Sequence, residues 1–197
     1  MPITFNGNGT VTGLAVGGLP DGSVDADTLA ANAVTSGKLA SGVGGKVLQV
    51  VQTTKTDVFT TTNASYSDIT GMSASITMTS ASNKVLVMVQ QQIVGGDAGT
   101  GIKIVRGSTD IFLADASGSR ARHTVTGDYA SGSGENQYSG GGSFICYLDT
   151  PGAGTHTYKV QCMTRANTIY INRTNRDSND TNASRSTSSI TLQEVSA

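Results

Sequence analysis

The sequence predicts an all-β protein, with a short N-terminal stalk followed by an antiparallel β-sandwich head. Three observations carry that expectation. Residues 22–41 hold two copies of a ten-residue repeat. From Lys46 onward, short runs rich in Val, Ile, Thr, Tyr and Phe recur between Gly, Pro, Asn and Asp turn signals. Hydrophobic residues make up 37% of the chain and charged residues 14%, beside 25 glycines; with an excess of Ser, Thr, Asn and Ala, that balance suits strands and turns over amphipathic helices.

Residues 1–20 form a Gly-rich lead in which Val11 and Leu14 are candidates to pair with a partner strand. Its glycines argue against an independently stable element. Residues 21–45 are the stalk. Gly22-Ser-Val-Asp-Ala-Asp-Thr-Leu-Ala-Ala31 aligns with Asn32-Ala-Val-Thr-Ser-Gly-Lys-Leu-Ala-Ser41, so Val24, Leu29, Val34 and Leu39 recur every five positions. Neither a helix nor a strand repeats at five. Two such units cannot cover their own apolar ridge, and the natural neighbours are identical chains wound in parallel. Even fully extended, twenty residues span only about 65–70 Å, so the stalk is short. Gly42-Val-Gly-Gly45 closes it as a hinge.

Residues 46–197 are the head. Val47–Gln52 opens it, and Ser75–Thr79 alternates Ile76 and Met78 with polar residues, as a half-buried strand does. Lys84–Val89 is nearly continuous in apolar residues and reads as a strand covered on both faces. Ile102–Val105 and Ile111–Leu113 flank a five-residue hairpin connection, Arg106–Asp110. Phe144–Leu148 and Thr157–Cys162 flank Asp149-Thr-Pro-Gly-Ala-Gly154, where Pro and Gly set the turn. Thr168–Asn172 and Ser189–Leu192 complete eight to ten short strands, the count of an antiparallel sandwich.

Two connections are too long for simple closure, residues 115–143 and 172–188. A further strand around Arg120–Thr126 fits inside the first. That loop also carries Arg120, Arg122, Tyr129 and Tyr138, and the second carries Arg173, Arg176 and Arg185. Rigid aromatic faces beside polar groups are contact chemistry for sugars and protein surfaces, and guanidinium groups suit carboxylate or phosphate on a surface glycan. These seven are the candidate receptor-contact residues.

The net charge of −1 and the lack of any basic run give no nucleic-acid footprint. No run of eighteen apolar residues exists to insert into a membrane, and the N-terminus has no apolar signal region, so synthesis and folding in a cytosol are expected. Cys146 and Cys162 lie in apolar runs and are read as buried thiols, not a disulfide framework. No catalytic residue is expected: His123 and His156 sit in turn or loop sequence, read as solvated, without a nucleophile in a recognisable motif. The acidic residues of the head are scattered, without the paired placement that glycoside cleavage needs. Asp177-Ser-Asn-Asp180 offers oxygen ligands but lacks EF-hand spacing and reads as a solvated turn. Neither metal nor cofactor is expected.

The two decads resemble the repeats of tailed-bacteriophage fibre and appendage proteins, particularly marine ones, of the form Gly-Ser-Val-Thr-x-x-Lys-Leu-Ala. Lys46-Val-Leu-Gln-Val-Val51, Ile76-Thr-Met-Thr-Ser-Ala-Ser-Asn-Lys-Val-Leu-Val87 and Ser189-Ile-Thr-Leu-Gln-Glu-Val195 are similar to their C-terminal heads. The resemblance implies a homotrimer with a jelly-roll head like those of tumour-necrosis-factor or complement-type trimers. It implies an N-terminal segment docked on another virion protein and a head facing outward toward a host surface glycan or protein. The expected location is the virion, assembled in host cytoplasm. The chain begins almost at the repeats, where such fibres often carry a long adaptor, so attachment to the capsid is as open as attachment to the tail. The alternatives are a capsid fibre or decoration of mainly structural role, and a polysaccharide depolymerase tip.

Overall fold

The computed structural model describes residues 46–95, 99–127 and 141–197, and positions 4–5, 11–12, 29–31, 33–35 and 38–39 within the first 45. The chain divides into two units, Met1–Gly45 and Lys46–Ala197. In the first unit, strand β1 (Thr4–Phe5) pairs antiparallel with β2 (Val11–Thr12), Phe5 lying opposite Val11. Val11 thus finds its partner within its own chain. Within residues 21–45, Ala33 N–H bonds the Ala30 carbonyl and Lys38 N–H bonds the Thr35 carbonyl, each at 2.9 Å. The two turns are five residues apart, matching the spacing of the apolar residues. Leu29 is 44% and Val34 51% exposed in the single chain, and Leu39 is half-buried. Val24 lies outside the described residues.

The second unit is all-β, and its described residues contain no helix. Its strands are β3 (Val47–Lys55), β4 (Phe59–Thr61), β5 (Ser67–Met78), β6 (Lys84–Gly95), β7 (Gly101–Arg106), β8 (Thr109–Ile111), β9 (Val125–Thr126), β10 (Gly141–Asp149), β11 (Gly154–Met163), β12 (Ile169–Ile171) and β13 (Ser188–Val195). All pairings are antiparallel and form two sheets. In the first, β13 and β12 lie end to end along one edge of β6, β3 and β4 continue outward beyond them, and β10 runs along the opposite edge. In the second, β11 lies between β5 and β7, and β8 and β9 share the far edge of β7.

Both sheets feed one core. Ile69, Met72 and Ile76 of β5, Ile102 and Ile104 of β7, and Tyr158 and Val160 of β11 pack with Val85, Val87 and Val89 of β6, Ile145 of β10, and Ile190 and Leu192 of β13. The alternation that puts these side chains inward sends their neighbours outward, as in an antiparallel sandwich. Gly71, at φ +84°, interrupts it: the buried positions of β5 step from Ile69 to Met72, and the β5–β11 register shifts there. A residue in this left-handed conformation marks a bulge, and glycine adopts it without a Cβ penalty.

Three expectations change. The β7–β8 connection is a two-residue turn, Gly107-Ser108, because Arg106 and Thr109 already pair. The strand opening at Lys84 is covered on one face only; Leu86 and Met88 point outward and are half-buried. Cys146 is exposed, because it takes an outward position of β10, while Cys162 is buried in β11; both thiols are free.

Pairing register also defines two ends. Lys46, the β5–β6 turn, the β10–β11 connection and the C-terminal residues share one end, where Ser196 N–H bonds the Lys46 carbonyl at 2.8 Å. The β6–β7 connection, the departure and return of the chain at Gly127 and Gly141, and residues 172–187 share the other.

Candidate functional site

The far end of the head is built on a buried polar network. Asn172 follows β12 at φ +63° and is fully buried. Its Nδ2 donates to the Lys55 carbonyl at 2.9 Å and to the Asp57 carbonyl at 3.1 Å, and its Oδ1 accepts from Ser188 Oγ at 2.5 Å. Gln91 Nε2 donates to the same Ser188 Oγ at 2.8 Å. The side chain of Asn172 thus holds the base of the 172–187 segment to the end of β3 and to β13. Asn tolerates the left-handed conformation better than most residues, and its amide offers donor and acceptor together.

Above that base, Asp177 is gripped from two sides. Arg173 Nη1 approaches one carboxylate oxygen at 2.8 Å, and Arg185 Nη2 lies 2.6 Å from the other. Arg173 and Arg185 also form an isolated antiparallel bridge, and the Arg173 guanidinium sits 4.0 Å from the centroid of the Tyr170 ring. The segment is therefore a clamped hairpin, with an open groove of about 410 Å³ lined by Asp177, Ser178, Asn179, Asp180, Ala183, Ser184 and Arg185. Asp180 Oδ1 accepts from the Asn182 N–H at 2.9 Å and tightens the turn. Arg176 is exposed. Of the two flanking guanidinium groups, Arg185 is the more available to a ligand, with its side chain 59% exposed against 16% for Arg173.

The other loop is organised differently. Arg120 Nη1 bonds Ser117 Oγ at 2.9 Å and Arg122 Nε bonds the Ala114 carbonyl at 2.5 Å, so each guanidinium is turned onto its own loop. Phe112 stacks on Tyr147 of β10 with centroids 4.8 Å apart. Tyr129 and Tyr138 lie outside the described residues. The strand expected around Arg120–Thr126 is confined to Val125–Thr126.

His123 corrects the sequence reading, because it is buried and not solvated. Its Nδ1 lies 2.6 Å from Tyr66 Oη, which donates to the Arg122 carbonyl at 2.7 Å; the imidazole therefore carries its proton on Nδ1 and donates to the tyrosine oxygen. Gly101 makes the seat, since a Cβ there would fall 2.4 Å from the ring. Lys103 Nζ lies over the Tyr66 ring at 4.3 Å. Burial, then the charge of Arg165, lower the His123 pKa below its ordinary 6.5. The unfolded chain takes up the proton first, so this histidine favours the folded state fully above about pH 6.5 and progressively less below it. Urea midpoints should fall between pH 7.5 and pH 5.5, and His123→Gln should flatten that part of the profile.

His156 is half-buried, with Nε2 at 3.2 Å from the Ala153 carbonyl. Neither histidine stands beside a serine or cysteine in these contacts. Among the described residues no cluster of three His, Cys, Asp or Glu side chains is placed to hold a metal, and no helix is long and apolar enough to cross a membrane. No protein-family model matches the chain, and no curated protein matches it.

The arginines of 172–188 were legible as residue types, but Asp177, which organises two of them, was not singled out with them. The i,i+4 spacing of Arg173 and Asp177 is the signal that marks the pair. Tyr66 and His123 are 57 residues apart and carry no such signal.

Proposed function

We propose that the chain is a short homotrimeric appendage of a bacteriophage virion, whose head contacts the host cell surface through the loops of one end. The observation that carries this reading is polarity. The chain enters the head at Lys46, while residues 172–187 belong to the opposite end of the sandwich, as do Gly127 and Gly141. A receptor-binding head on a stalk needs that arrangement, because the end nearest the anchor is closed to a cell.

The fold reading is finer than a sandwich. With β8 and β9 counted as one strand, and β12 and β4 as extensions, strand order is β3–β13–β6–β10 in one sheet and β5–β11–β7–β8 in the other. Eight strands in the order 1-8-3-6 and 2-7-4-5 make two interlocked Greek keys, which supports a jelly roll.

The trimer reading rests on the stalk. The exposed Leu29 and Val34 recur with the turns, and identical chains are the partners that recur with them. Residues 1–20 are then the segment that docks on another virion protein. Three heads per appendage turn weak loop contacts into useful avidity. The head acts as a binder and not as an enzyme in this reading, with no cofactor, no nucleic acid and no membrane insertion. Labelled protein should adsorb to cells of the bacterium on which the phage grows, and alanine at Tyr129, Tyr138, Arg176 and Arg185 should reduce adsorption at least tenfold, a loss of about 1.4 kcal/mol. Absence of adsorption by the intact protein turns the reading toward a structural capsid fibre, and clearing of a polysaccharide lawn toward a depolymerase.

A further inference from the structure

We infer that the groove of the 172–187 hairpin takes a neutral, hydroxyl-rich saccharide. The inference rests on the receptor reading and deepens it, by naming the class of ligand that this hairpin recognises.

The backbone builds the groove before any ligand arrives. Thr174 N–H bonds the Ser184 carbonyl and Ser186 N–H bonds the Asn172 carbonyl, each at 3.2 Å, so the two limbs are laddered together. At the tip, Asp180 N–H bonds the Ser178 carbonyl at 2.8 Å and Ala183 N–H bonds the Asp180 carbonyl at 3.0 Å. Walls fixed in this way lose little entropy when a ligand binds. The volume of about 410 Å³ lies within the range of small-ligand sites.

Charge decides against an anion. Two carboxylates, Asp177 and Asp180, line the groove against one guanidinium, Arg185. Arg185 Nη2 is itself held at 2.6 and 2.8 Å by the two oxygens of Asp177. A carboxylate or phosphate entering here meets a cation already spent and an excess of like charge, which rejects it. An apolar partner fares no better. Ala183 is the one apolar side chain on the walls, and a face of the Tyr170 ring is taken by the Arg173 guanidinium. The aromatic and aliphatic anchors that hold a protein partner are missing.

What the groove does offer is uncommitted hydrogen bonding. Ser178 Oγ is shut off from solvent without a partner. Among the described residues nothing engages the Asn179 amide or the Ser184 hydroxyl. An amide presents donors and an acceptor side by side, and a hydroxyl presents both in one atom. Neighbouring hydroxyls on a sugar ring carry the same mixed set without net charge. They can also donate to the carboxylates that line the groove, which an ionised ligand group cannot.

The test is adsorption of labelled intact protein to cells of the bacterium on which the phage grows. Periodate, which cleaves the carbon–carbon bond between neighbouring hydroxyls, should abolish adsorption to treated cells. Raising sodium chloride from about 0.05 to about 0.5 M screens charged contacts and should change adsorption less than about twofold. Ser178→Ala combined with Asn179→Ala should lower it about tenfold, the scale of a few lost hydrogen bonds. Asn179→Lys, which lends the groove a free cation, should lower it as well.

Adsorption that survives periodate overturns the inference in favour of a protein receptor. Adsorption that collapses with salt, or rises in Asn179→Lys, overturns it in favour of an anionic glycan. Full adsorption by the folded double-alanine protein removes the saccharide from this groove. In each of these cases the receptor reading stands, whereas intact protein that adsorbs to no cells overturns both. The periodate and salt arms use the wild type, so a misfolded variant does not rescue the inference.

Discussion

Replacing Asp149 by alanine lowers the stability of the head by about 3 kcal/mol, the scale for stripping one partner from a buried ionic hydrogen-bond set. Asp149 ends β10 and is buried. Its Oδ2 accepts from Tyr158 Oη at 2.7 Å and from Arg106 Nη1 at 2.6 Å. Tyr158 is fully buried in β11, and Arg106 ends β7, so one carboxylate links the first sheet to two strands of the second. Burial, and then the neighbouring carboxylate of Asp149, raise the Tyr158 pKa far above its ordinary value, so the phenol stays protonated and remains the donor. Without Asp149 the phenol has no acceptor and the guanidinium is half-desolvated for nothing. The loss corresponds to about 6–12 °C in thermal midpoint for a domain of this size. In a Tyr158→Phe background the same substitution should cost measurably less, because the orphaned hydroxyl is gone. An equal cost in both backgrounds removes the hydroxyl from the explanation.

Replacing Glu194 by alanine has an effect of similar size, about 3 kcal/mol, because it takes the acceptor from four donors at once, the buried Asn83 amide among them. Glu194 is fully buried on β13. One carboxylate oxygen accepts from Thr79 N at 2.8 Å, Thr79 Oγ1 at 2.7 Å and Asn83 Nδ2 at 2.7 Å, and the other from Gln49 Nε2 at 2.5 Å. The carboxylate thereby fastens the β5–β6 turn and β3 to the last strand. Burial by itself would raise its pKa; the bonds from Asn83, Gln49 and Thr79 outweigh that and bring it from 4.5 down to about 2. A depressed carboxylate favours folding fully above the unfolded value. Its contribution is therefore intact above about pH 4.5 and drains away as pH falls toward 2. Chemical denaturation at pH 7 and pH 3 checks both statements. The wild type should weaken strongly at pH 3, and Glu194→Gln should be weaker at pH 7 and less sensitive to acid.

Both carboxylates also mark where sequence reading stops. Asp149 precedes Thr-Pro-Gly and reads as a turn residue; its partners are 9 and 43 residues away. Glu194 reads as a terminal surface residue, with partners 111 to 145 residues away. Long-range satisfaction of a buried charge leaves no local pattern.

The strands were legible where one face is apolar and the phase is unbroken. Ile76 and Met78 alternate cleanly, and their strand is found. The first half of β5 was missed because Gly71 shifts the phase between Ile69 and Met72, and because its outward residues are the Asp, Ser and Thr of a solvated face. β4 is only three residues and has no period to read. In β10 the difficulty is of another kind. Phe144-Ile-Cys-Tyr-Leu148 is apolar at every position, so the run identifies a strand but not which of its faces is core; Ile145 turns inward and Cys146 outward. The same ambiguity made β6 look covered twice.

Of the candidate contact residues, the sequence located the segment and the structure located the clamp. Arg173 and Arg185 were chosen as cations for an outside partner, and an internal carboxylate, Asp177, takes both. The receptor reading accordingly leans on the exposed Arg185 and Arg176 more than on Arg173, whose role is to hold the hairpin that presents them.

The proposed function calls for three chains in one particle. Sedimentation equilibrium of the intact protein tests that requirement most directly. The account predicts a single species of three times the 20.1 kDa chain mass, unchanged on dilution. A species at the chain mass itself across the same concentrations contradicts it.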